Sequence, residues 1–568
     1  MNRTLLVALG AVALVAVASS CGTSGGGAPD GSVARVCAAG QQIACPCAGG
    51  GQGVQVCDPS GQAYEACTDC AGSDGASGSS SGVSSSSSGV SSGSSSGDAS
   101  SDDATVSADA TMGQAIDGSS ADVSVGDGST GDGFSGDGST GDGSNGSCAG
   151  GALDCYVQSG CSTTLSGYVY DPAGVTPLYD ATVFVPDSAS GTIPVIMPGT
   201  NACGACGAPI GKYLAATTTD TAGHFVLSGV PATTHVPFVV QIGKWRREVF
   251  LPSITACTDN PVAADNSRLP TGQAEGDLPR MAILTGGADQ LACFLSGLGI
   301  DSMEWTPPQG GGHVDVYQGV GGAGLTNGTA GDCNGSSCPL WDTIANLEYY
   351  DIALLGCEGS TNDQTKAAPA MTNMRSWLDE GGRLFATHFG YTWFKDGPSE
   401  GCAACTDLVD SADWLGASGG NGTGTYSIDT SFARGLALGA WLGGPDAGTA
   451  SQVALNGIAD SVGTVSDEAQ RWIYDDSTGD TKVMTLITPI GATDAGDAGA
   501  PNCGKALFTD VHNGTPAVIV SGSTPVVPSS CVSAGRTVQQ AALEFLFFDL
   551  SGCISDEAAP PPPPPPSL

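Results

Sequence analysis

The sequence predicts a multidomain chain in which a small disulfide module and a disordered linker precede a β-sandwich and an α/β domain with a doubly wound parallel sheet. Three observations predict this organisation. Six cysteines cluster in residues 37–70, residues 71–147 are mostly Ser, Gly and Asp, and the apolar pattern changes beyond them. Alternation with a period of two fills residues 162–256, whereas short apolar runs between helical patterns fill residues 278–553.

The first residues predict export and a lipid anchor. An apolar run over residues 5–17 follows a basic residue and is too short to span a bilayer permanently, which is typical of a signal peptide at residues 1–20. Small residues then lead to Cys21 in a pattern that resembles a bacterial lipobox. The resemblance implies that Cys21 is acylated and that residues 21–36 form a tether. Because Gly22 follows the cysteine, it also implies the outer membrane. An ordinary secretory signal is the alternative.

Composition limits both the compartment and the partners. The chain has 22 cysteines, far more than a reducing compartment favours, so we expect most of them to be paired. The net charge is -40 with only 17 basic residues, which excludes nucleic acid as a natural partner because phosphate binding needs Lys and Arg. The same charge disfavours adhesion to anionic lipid, so the expected membrane contact is the acyl chain.

The cysteine module is too small to fold on a hydrophobic core alone, and the linker is too poor in apolar residues to fold. Disulfides are expected to hold the module, and their connectivity stays open. Zinc is the weaker alternative there, because no His lies nearby. The module resembles short cysteine modules of myxobacterial surface lipoproteins. The linker has no Lys or Arg, and its Gly-Asp repeat at residues 126–146 favours a flexible stalk over an ordered calcium site. Residues 148–161 form a cysteine-containing connector.

The all-β pattern of residues 162–256 ends in a linker at residues 257–277. Its alternating segments are separated by turns that contain Gly or Pro. The segments Ser166–Asp171, Asp180–Val185 and Asp220–Pro231 resemble the carboxypeptidase regulatory-like, transthyretin-like β-sandwich. The resemblance implies a non-catalytic spacer or an adhesion unit.

Strands and helices alternate in residues 278–553, and a Pro-rich tail follows at residues 554–568. The predicted strands are Arg280–Thr285, Asp351–Leu355, Arg383–Thr387, Lys482–Thr488 and Lys505–Thr509. The predicted helices are Asp289–Leu298, Leu340–Tyr349, Ala368–Asp379 and Val538–Leu550. Uninterrupted apolar strands between helices are typical of a parallel sheet that is covered on both faces.

Polar residues follow three of these strands. Cys357 and Glu358 come after one strand, His388 after the next, and Asp510 and His512 after a third. In an open parallel sheet, functional sites lie beyond the carboxyl ends of the strands. We therefore expect these side chains to lie along one edge.

Four segments of this region carry a family resemblance: Tyr350–Leu355, Trp377–His388, Ser431–Gly435 and Gly504–His512. They resemble the class I glutamine amidotransferase-like proteins, whose sheet is flavodoxin-like, and within that group the trehalose-utilisation (ThuA-like) proteins. Amidotransferases carry a cysteine at the elbow between strand and helix. The matching residue here is His388, as in ThuA-like relatives, so glutaminase chemistry is not implied.

Two chemistries fit the predicted edge. Cys357 is a candidate nucleophile with His388 or His512 as its base, and an oxidised or buried structural thiol is the alternative. His388, His512, Asp510 and Glu358 are candidate metal ligands, because two imidazoles with carboxylates suit zinc or iron(II). A divalent metal is the cofactor that this second interpretation implies. Two histidines that are merely hydrogen-bonded at strand ends are the structural alternative.

Two further patterns contain candidate functional residues. Cys203 with Cys206 and Cys402 with Cys405 form C-x-x-C pairs, for which loop disulfides are favoured over a joint zinc site. Residues 244–247, Lys-Trp-Arg-Arg, form a basic-aromatic patch. Docking against the next domain or a solvated strand end is the favoured interpretation, and binding of an acidic glycan is the alternative.

The sequence thus supports two functions. The leading hypothesis is a lipoprotein of the cell surface that acts as a binding or structural module, with glycans or envelope proteins as partners. The alternative is a ThuA-like carbohydrate-processing or hydrolytic enzyme that uses His388 and His512.

Overall fold

The protein is represented by a computed structural model. The structure describes residues 42–46, 52–56, 151–199, 210–416, 422–491, 502–512, 525–531 and 536–564. The predicted signal peptide, the anchor at Cys21, the tether, the linker, Cys203 and Cys206 lie outside the described residues.

The chain forms two compact units, residues 1–133 and residues 134–568. In the first unit, β1 (Gln42–Pro46) and β2 (Gln52–Val56) pair antiparallel. No helix of the described part is long and apolar enough to cross a membrane.

Residues 151–269 of the second unit contain two small sheets and are called the two-sheet region below. Its strands are β3 (Thr164–Tyr168), β4 (Thr182–Pro186), β5 (Tyr213–Thr218), β6 (His224–Ser228), β7 (Thr234–Ile242), β8 (Trp245–Ser253) and β9 (Asp259–Pro261). One sheet has the order β6-β3-β9 and the other β5-β4-β7-β8. Phe225 is buried while Val226 beside it is 51% exposed, as the period-two pattern predicts for a strand with one buried face.

Residues 278–553 contain a larger sheet and its helices and are called the large-sheet region. The strands are β10 (Met281–Thr285), β11 (Trp305–Thr306), β12 (Val314–Gln318), β13 (Gly324–Leu325), β14 (Gly331–Asp332), β15 (Ile352–Leu355), β16 (Arg383–Thr387), β17 (Ala412–Trp414), β18 (Gly422–Ile428), β19 (Gln452–Ile458), β20 (Val462–Val465), β21 (Ala469–Tyr474), β22 (Thr481–Thr488), β23 (Gly504–Thr509) and β24 (Val526–Val527). The helices are α1 (Leu291–Gly297), α2 (Ile344–Leu347), α3 (Ala368–Asp379), α4 (Thr392–Lys395), α5 (Thr406–Asp410), α6 (Ala433–Ala447) and α7 (Val538–Ser551).

The large sheet is mixed rather than wholly parallel. Its main path runs β11-β12-β10-β15-β16-β23-β22-β21-β18-β19, and the strands from β11 to β23 in this order are parallel. From β22 onwards the pairing is antiparallel. The predicted parallel sheet is therefore present only in part. The strand predicted at Lys482–Thr488 is part of β22 and runs antiparallel to β23, with Thr488 opposite Gly504. The connection between these two strands therefore needs no crossover.

Apolar side chains cover both faces of the parallel strands. Ile283, Leu354 and Phe385 belong to one buried cluster, which includes side chains of α1 and α7. The intervening Ala353 and Leu384 belong to a second cluster, which includes side chains of α3. This division follows from the alternation of side chains along each strand. Because both faces are covered, consecutive residues inside the strand are apolar and the sequence shows an uninterrupted apolar run.

The basic-aromatic patch at residues 244–247 joins the two regions. Lys244 Nζ lies 2.5 Å from Asp351 Oδ1, and Asp351 directly precedes β15. The Trp245 side chain is fully buried, and its ring centroid lies 6.4 Å from that of Phe547 and 6.1 Å from that of Phe548 in α7. The expectation that this patch docks against the following region is confirmed, and the two regions share one apolar core.

Disulfides join distant and local segments of this unit. Among the described cysteines the bonded pairs include Cys161–Cys257, Cys293–Cys531, Cys333–Cys338 and Cys402–Cys405. The last pair confirms the disulfide predicted for that C-x-x-C motif, and it leaves neither sulfur available to a shared zinc site. Cys357 is buried and forms no disulfide.

Candidate functional site

The turn after β16 places His388 in an unusual backbone conformation. β16 ends at Thr387, and His388 has φ of 38° before a 3-10 turn that leads into α4. A left-handed φ is uncommon for a residue with a side chain and costs of the order of 1–3 kcal/mol. Such a conformation persists only where the surrounding structure stabilises it. The turn places the His388 ring at the carboxyl edge of the sheet.

Three side chains from three neighbouring strands meet at this edge. Cys357 follows β15, His388 follows β16 and His512 follows β23. Cys357 Sγ lies 3.5 Å from His388 Nδ1, and His388 Nδ1 lies 3.0 Å from His512 Nε2. The nearest ligand atoms of all three residues lie within 4.8 Å of one another, and the residues are 1%, 4% and 6% exposed.

The hydrogen bonds of the cluster indicate where the two imidazole rings carry their protons. His512 Nδ1 lies 2.7 Å from the Gly457 carbonyl, which only accepts, so this nitrogen carries the proton. His512 Nε2 is then an acceptor, and His388 Nδ1 donates to it. His388 Nε2 retains a lone pair, and this buried atom has no hydrogen-bond partner among the described residues.

Burial keeps Cys357 and His388 uncharged. Desolvation, with a smaller contribution from His512, lowers the pKa of His388 to about 4. Desolvation also raises the pKa of the Cys357 thiol to about 11, against the effect of backbone hydrogen bonds from Phe389 and Gly359. At neutral pH Cys357 is therefore a thiol and His388 a neutral imidazole.

The two carboxylates predicted for this edge have other partners. Glu358 Oε1 accepts a hydrogen bond of 2.9 Å from the Val320 amide, and Glu358 Oε2 lies 3.8 Å from Lys366 Nζ. Asp510 Oδ2 accepts a bond of 2.7 Å from the Ser461 amide, and burial raises the pKa of Asp510 to about 7. In the described part of the chain, the ligand cluster contains Cys357 with the two histidines and neither carboxylate.

A narrow cleft with about 240 Å³ of open space lies beside the cluster. Its walls are Leu284, Leu355, Gly356, Glu358, Ser360, Lys366, Phe389, Gly390 and Trp393. Leu284 is the last residue but one of β10 and Leu355 ends β15, and the strand order reverses between these two strands. Ligands of open α/β sheets bind at such a reversal. The sequence did not single out Lys366 or Trp393, because both lie beyond the residues that directly follow strands.

The remaining histidines have local partners. His313 Nδ1 lies 2.9 Å from Glu304 Oε2. The His224 ring contacts Tyr168 edge-on, and the His235 ring stacks on Phe250. None of the three belongs to the ligand cluster of the described residues.

No protein-family model matches this chain. No curated protein matches it either.

Proposed function

We propose that this chain is an exported, envelope-anchored protein whose large-sheet region binds a divalent transition-metal ion of the zinc class. The ligands are Cys357 Sγ, His388 Nδ1 and His512 Nε2, and the proton that His388 Nδ1 carries in the metal-free site would move to Nε2 of the same ring. The observation that carries the proposal is the convergence of these three donor atoms within 4.8 Å. Zinc prefers sulfur and imidazole nitrogen, and three protein ligands leave a fourth position for water or a ligand.

Two of the three distances between donor atoms fit such a centre. Tetrahedral zinc with Zn–N near 2.05 Å and Zn–S near 2.3 Å separates two nitrogens by about 3.3 Å and nitrogen from sulfur by about 3.6 Å. The metal-free separations are 3.0 Å between His388 Nδ1 and His512 Nε2 and 3.5 Å between Cys357 Sγ and His388 Nδ1. The third pair, Cys357 Sγ and His512 Nε2, is separated by no more than 4.8 Å, so a movement of about 1 Å would close the site around the ion.

The surroundings also support a metal ligand at His512. Its Nδ1 donates to the Gly457 carbonyl, and ligating histidines almost always donate their other ring nitrogen in this way. Gln539 Nε2 in turn donates to the His512 carbonyl oxygen at 2.6 Å. Metal binding would release the proton of Cys357, since a coordinated thiol is deprotonated.

Export is supported by the disulfides and by the first residues of the chain. Crosslinks of this number persist in an oxidising compartment. The signal-peptide pattern and Cys21 add the lipid anchor, which places the protein at the envelope, with the outer membrane as the expected location. Glycans and envelope proteins are the partners proposed for this location.

The strand order supports the family resemblance of the large-sheet region. In order of sequence, the parallel strands β12, β10, β15, β16 and β23 follow the 2-1-3-4-5 arrangement of doubly wound, flavodoxin-like sheets. The left-handed φ of His388 fits the elbow of amidotransferase-like and ThuA-like proteins. The two-sheet region is proposed as a carboxypeptidase regulatory-like β-sandwich.

A second candidate function is hydrolysis or carbohydrate processing by a ThuA-like enzyme that uses His388 and His512. The observation that favours it is the cleft beside the cluster, whose wall contains Lys366 and Trp393. An ion with an open fourth position would place an activated water near this cleft.

Metal analysis of the exported protein tests the proposal. After dialysis against micromolar zinc and then buffer, wild-type protein should retain about one ion per chain. His388→Ala, His512→Ala and Cys357→Ser should each lose it, and cobalt(II) should give visible absorption bands in wild type only.

His224→Gln is the matched control, because His224 is partly exposed and lies outside the cluster. It should retain the ion. Wild-type protein that retains no zinc, cobalt or copper would contradict the proposal. Turnover of nitrophenyl glycosides or esters that is lost with the metal would establish the enzyme, whereas metal binding without turnover would favour a binding protein.

A further inference from the structure

A second cavity lies at the opposite edge of the sheet from the candidate metal centre. It has about 810 Å³ of open space, and residues from the end of α7, including Asp549 and Gly552, contribute to its wall. Lys505 at the start of β23 lies 2.5 Å from Asp549, so this end of α7 is beside the amino ends of the strands. The cluster of Cys357 and the histidines is at the carboxyl ends. The two sites are therefore separate.

Three parts of the chain form the walls of this cavity. The two-sheet region contributes Leu178, Tyr179, Asp180, Thr182, Ile210, Thr218, Gln241, Ile242 and Gly243. The helices α6 and α7 contribute Arg434, Trp441, Phe545, Phe548 and Asp549. The Pro-rich tail at residues 554–568, called the C-terminal segment below, contributes Pro562, Pro563 and Pro564.

Buried polar contacts fix the C-terminal segment over the cavity. Glu557 is 6% exposed, and its Oε1 lies 2.5 Å from Lys505 Nζ. Thr485 Oγ1 donates to Glu557 Oε2 at 2.5 Å, and an Arg434 guanidinium nitrogen donates to Ser555 Oγ at 2.6 Å. Beyond this anchored stretch the prolines form an outer wall. Pro562 and Pro563 are exposed to solvent on their other side.

Aromatic rings provide flat apolar surfaces inside the cavity. Tyr179 stacks on Phe545 with centroids 5.6 Å apart, and Trp441 lies 5.6 Å from the same ring. Trp441 Nε1 donates to the Pro177 carbonyl at 2.8 Å, which fixes the indole. Rigid rings of this kind bind ligands with little loss of conformational entropy.

Hydrogen-bonding groups lie in the same walls. Thr182 and Thr218 are opposite each other on β4 and β5, and Gln241 is on β7. Arg434 is 2% exposed, and its Nε has no hydrogen-bond partner among the described residues. A purely hydrocarbon ligand would leave the buried Arg434 Nε unpaired, which costs free energy.

The charges disfavour an anion. The charged residues of the lining are Asp180, Arg434 and Asp549, two acids and one base. A neutral molecule with an apolar face and several hydroxyl groups satisfies both the rings and the polar side chains. Carbohydrate units have this chemistry.

We propose that this cavity binds a neutral sugar unit and that the proline segment closes over it. The site is independent of the metal centre, so each can be right or wrong without the other.

Titration calorimetry of the full exported chain with maltose, N,N′-diacetylchitobiose and galactose tests the site. At least one probe should bind. Trp441→Ala should weaken that binding by about tenfold, because it removes a stacking surface. If Trp441→Ala perturbs the fold by circular dichroism, Trp441→Phe retains a ring and should weaken binding less. Tyr168→Ala is the control, because Tyr168 is 44% exposed and is not part of the lining.

A chain that ends at Ala559 tests the closing segment. It retains Glu557 and removes the prolines, and we expect the sugar to dissociate at least about threefold faster. Absence of binding for all three probes, or binding that both Trp441 variants leave unchanged, would overturn the sugar site. An unchanged dissociation rate in the shortened chain would overturn the closing role.

Discussion

Replacement of Trp245 by Ala tests whether the two-sheet region and the large-sheet region form one cooperative unit. Trp245 is fully buried at the start of β8, and its ring packs edge-on against Phe547 and Phe548 of α7. Its loss leaves a cavity between the regions instead of inside either one. Both regions should therefore be destabilised together.

The magnitude follows from the burial. Removing a fully buried large aromatic side chain costs about 3–5 kcal/mol. The entropy of unfolding near 60 °C is about 2.1 cal/mol/K per residue, so roughly 400 cooperative residues give about 0.85 kcal/mol/K. A loss of about 4 kcal/mol then lowers Tm by about 5 °C.

Differential scanning calorimetry of the disulfide-intact protein measures this shift. Wild type should show one transition for residues 134–568, and Trp245→Ala should move the whole transition. Phe250→Ala is the control, because Phe250 lies on the same strand but is 40% exposed, and it should move Tm by less than about 1 °C. Two transitions, of which Trp245→Ala moves only one, would refute the shared cooperative core.

Three further changes have defined outcomes. Glu275→Gln should destabilise the protein in urea at pH 7, and the difference from wild type should shrink as the pH falls below 4.5 towards 2, because hydrogen bonds from Arg268 lower the pKa of Glu275 to about 2; a difference that does not change with pH would contradict the assignment. Replacing Cys293 and Cys531 by Ser opens a crosslink between positions 238 residues apart and should cost about 2–5 kcal/mol by urea unfolding, with an unchanged midpoint as the contrary result. Thr537→Ala removes the capping box of α7 and should cost about 1 kcal/mol in the same assay, whereas a Ser replacement should cost much less.

The elements that the sequence could predict are those set by local patterns. The helix predicted at Ala368–Asp379 is α3 with the same bounds, and the strand predicted at Arg383–Thr387 is β16. The helix predicted at Leu340–Tyr349 is helical only at Ile344–Leu347. Its apolar spacing suited a helix, but Cys333 and Cys338 close a disulfide loop immediately before it, and Trp341 is buried among the residues that follow.

The direction of the strands in the sheet could not be predicted from the sequence. The apolar run at Lys482–Thr488 has the same pattern whichever way the strand runs. Its antiparallel pairing with β23 depends on contacts between distant residues. The strands β17 to β21, which extend the sheet, were also absent from the predicted elements, because they lack the uninterrupted apolar runs of β10 and β15.

The candidate site was partly accessible from the sequence. Cys357, His388 and His512 each follow a strand, so a shared edge was a reasonable expectation, and the structure places them together. The roles of the carboxylates were not accessible. Glu358 is next to Cys357 in sequence, but its carboxylate is directed to the Val320 amide on the other side of the turn. The backbone acceptor at Gly457 could not be predicted, because carbonyl groups have no signature in a sequence.

The contact between Glu557 and Lys505 has a consequence for the order in which the chain folds. Lys505 is almost completely buried at the start of a central strand, and one of its two carboxylate partners belongs to the C-terminal segment. A polypeptide that emerges from its amino terminus delivers this partner after every described strand of the sheet. Until then the ammonium group of Lys505 has only Asp549 to balance it in a poorly hydrated setting, and Asp549 also pairs with Arg434. A product cut between Asp549 and Glu557 would therefore retain two buried cations that share one carboxylate.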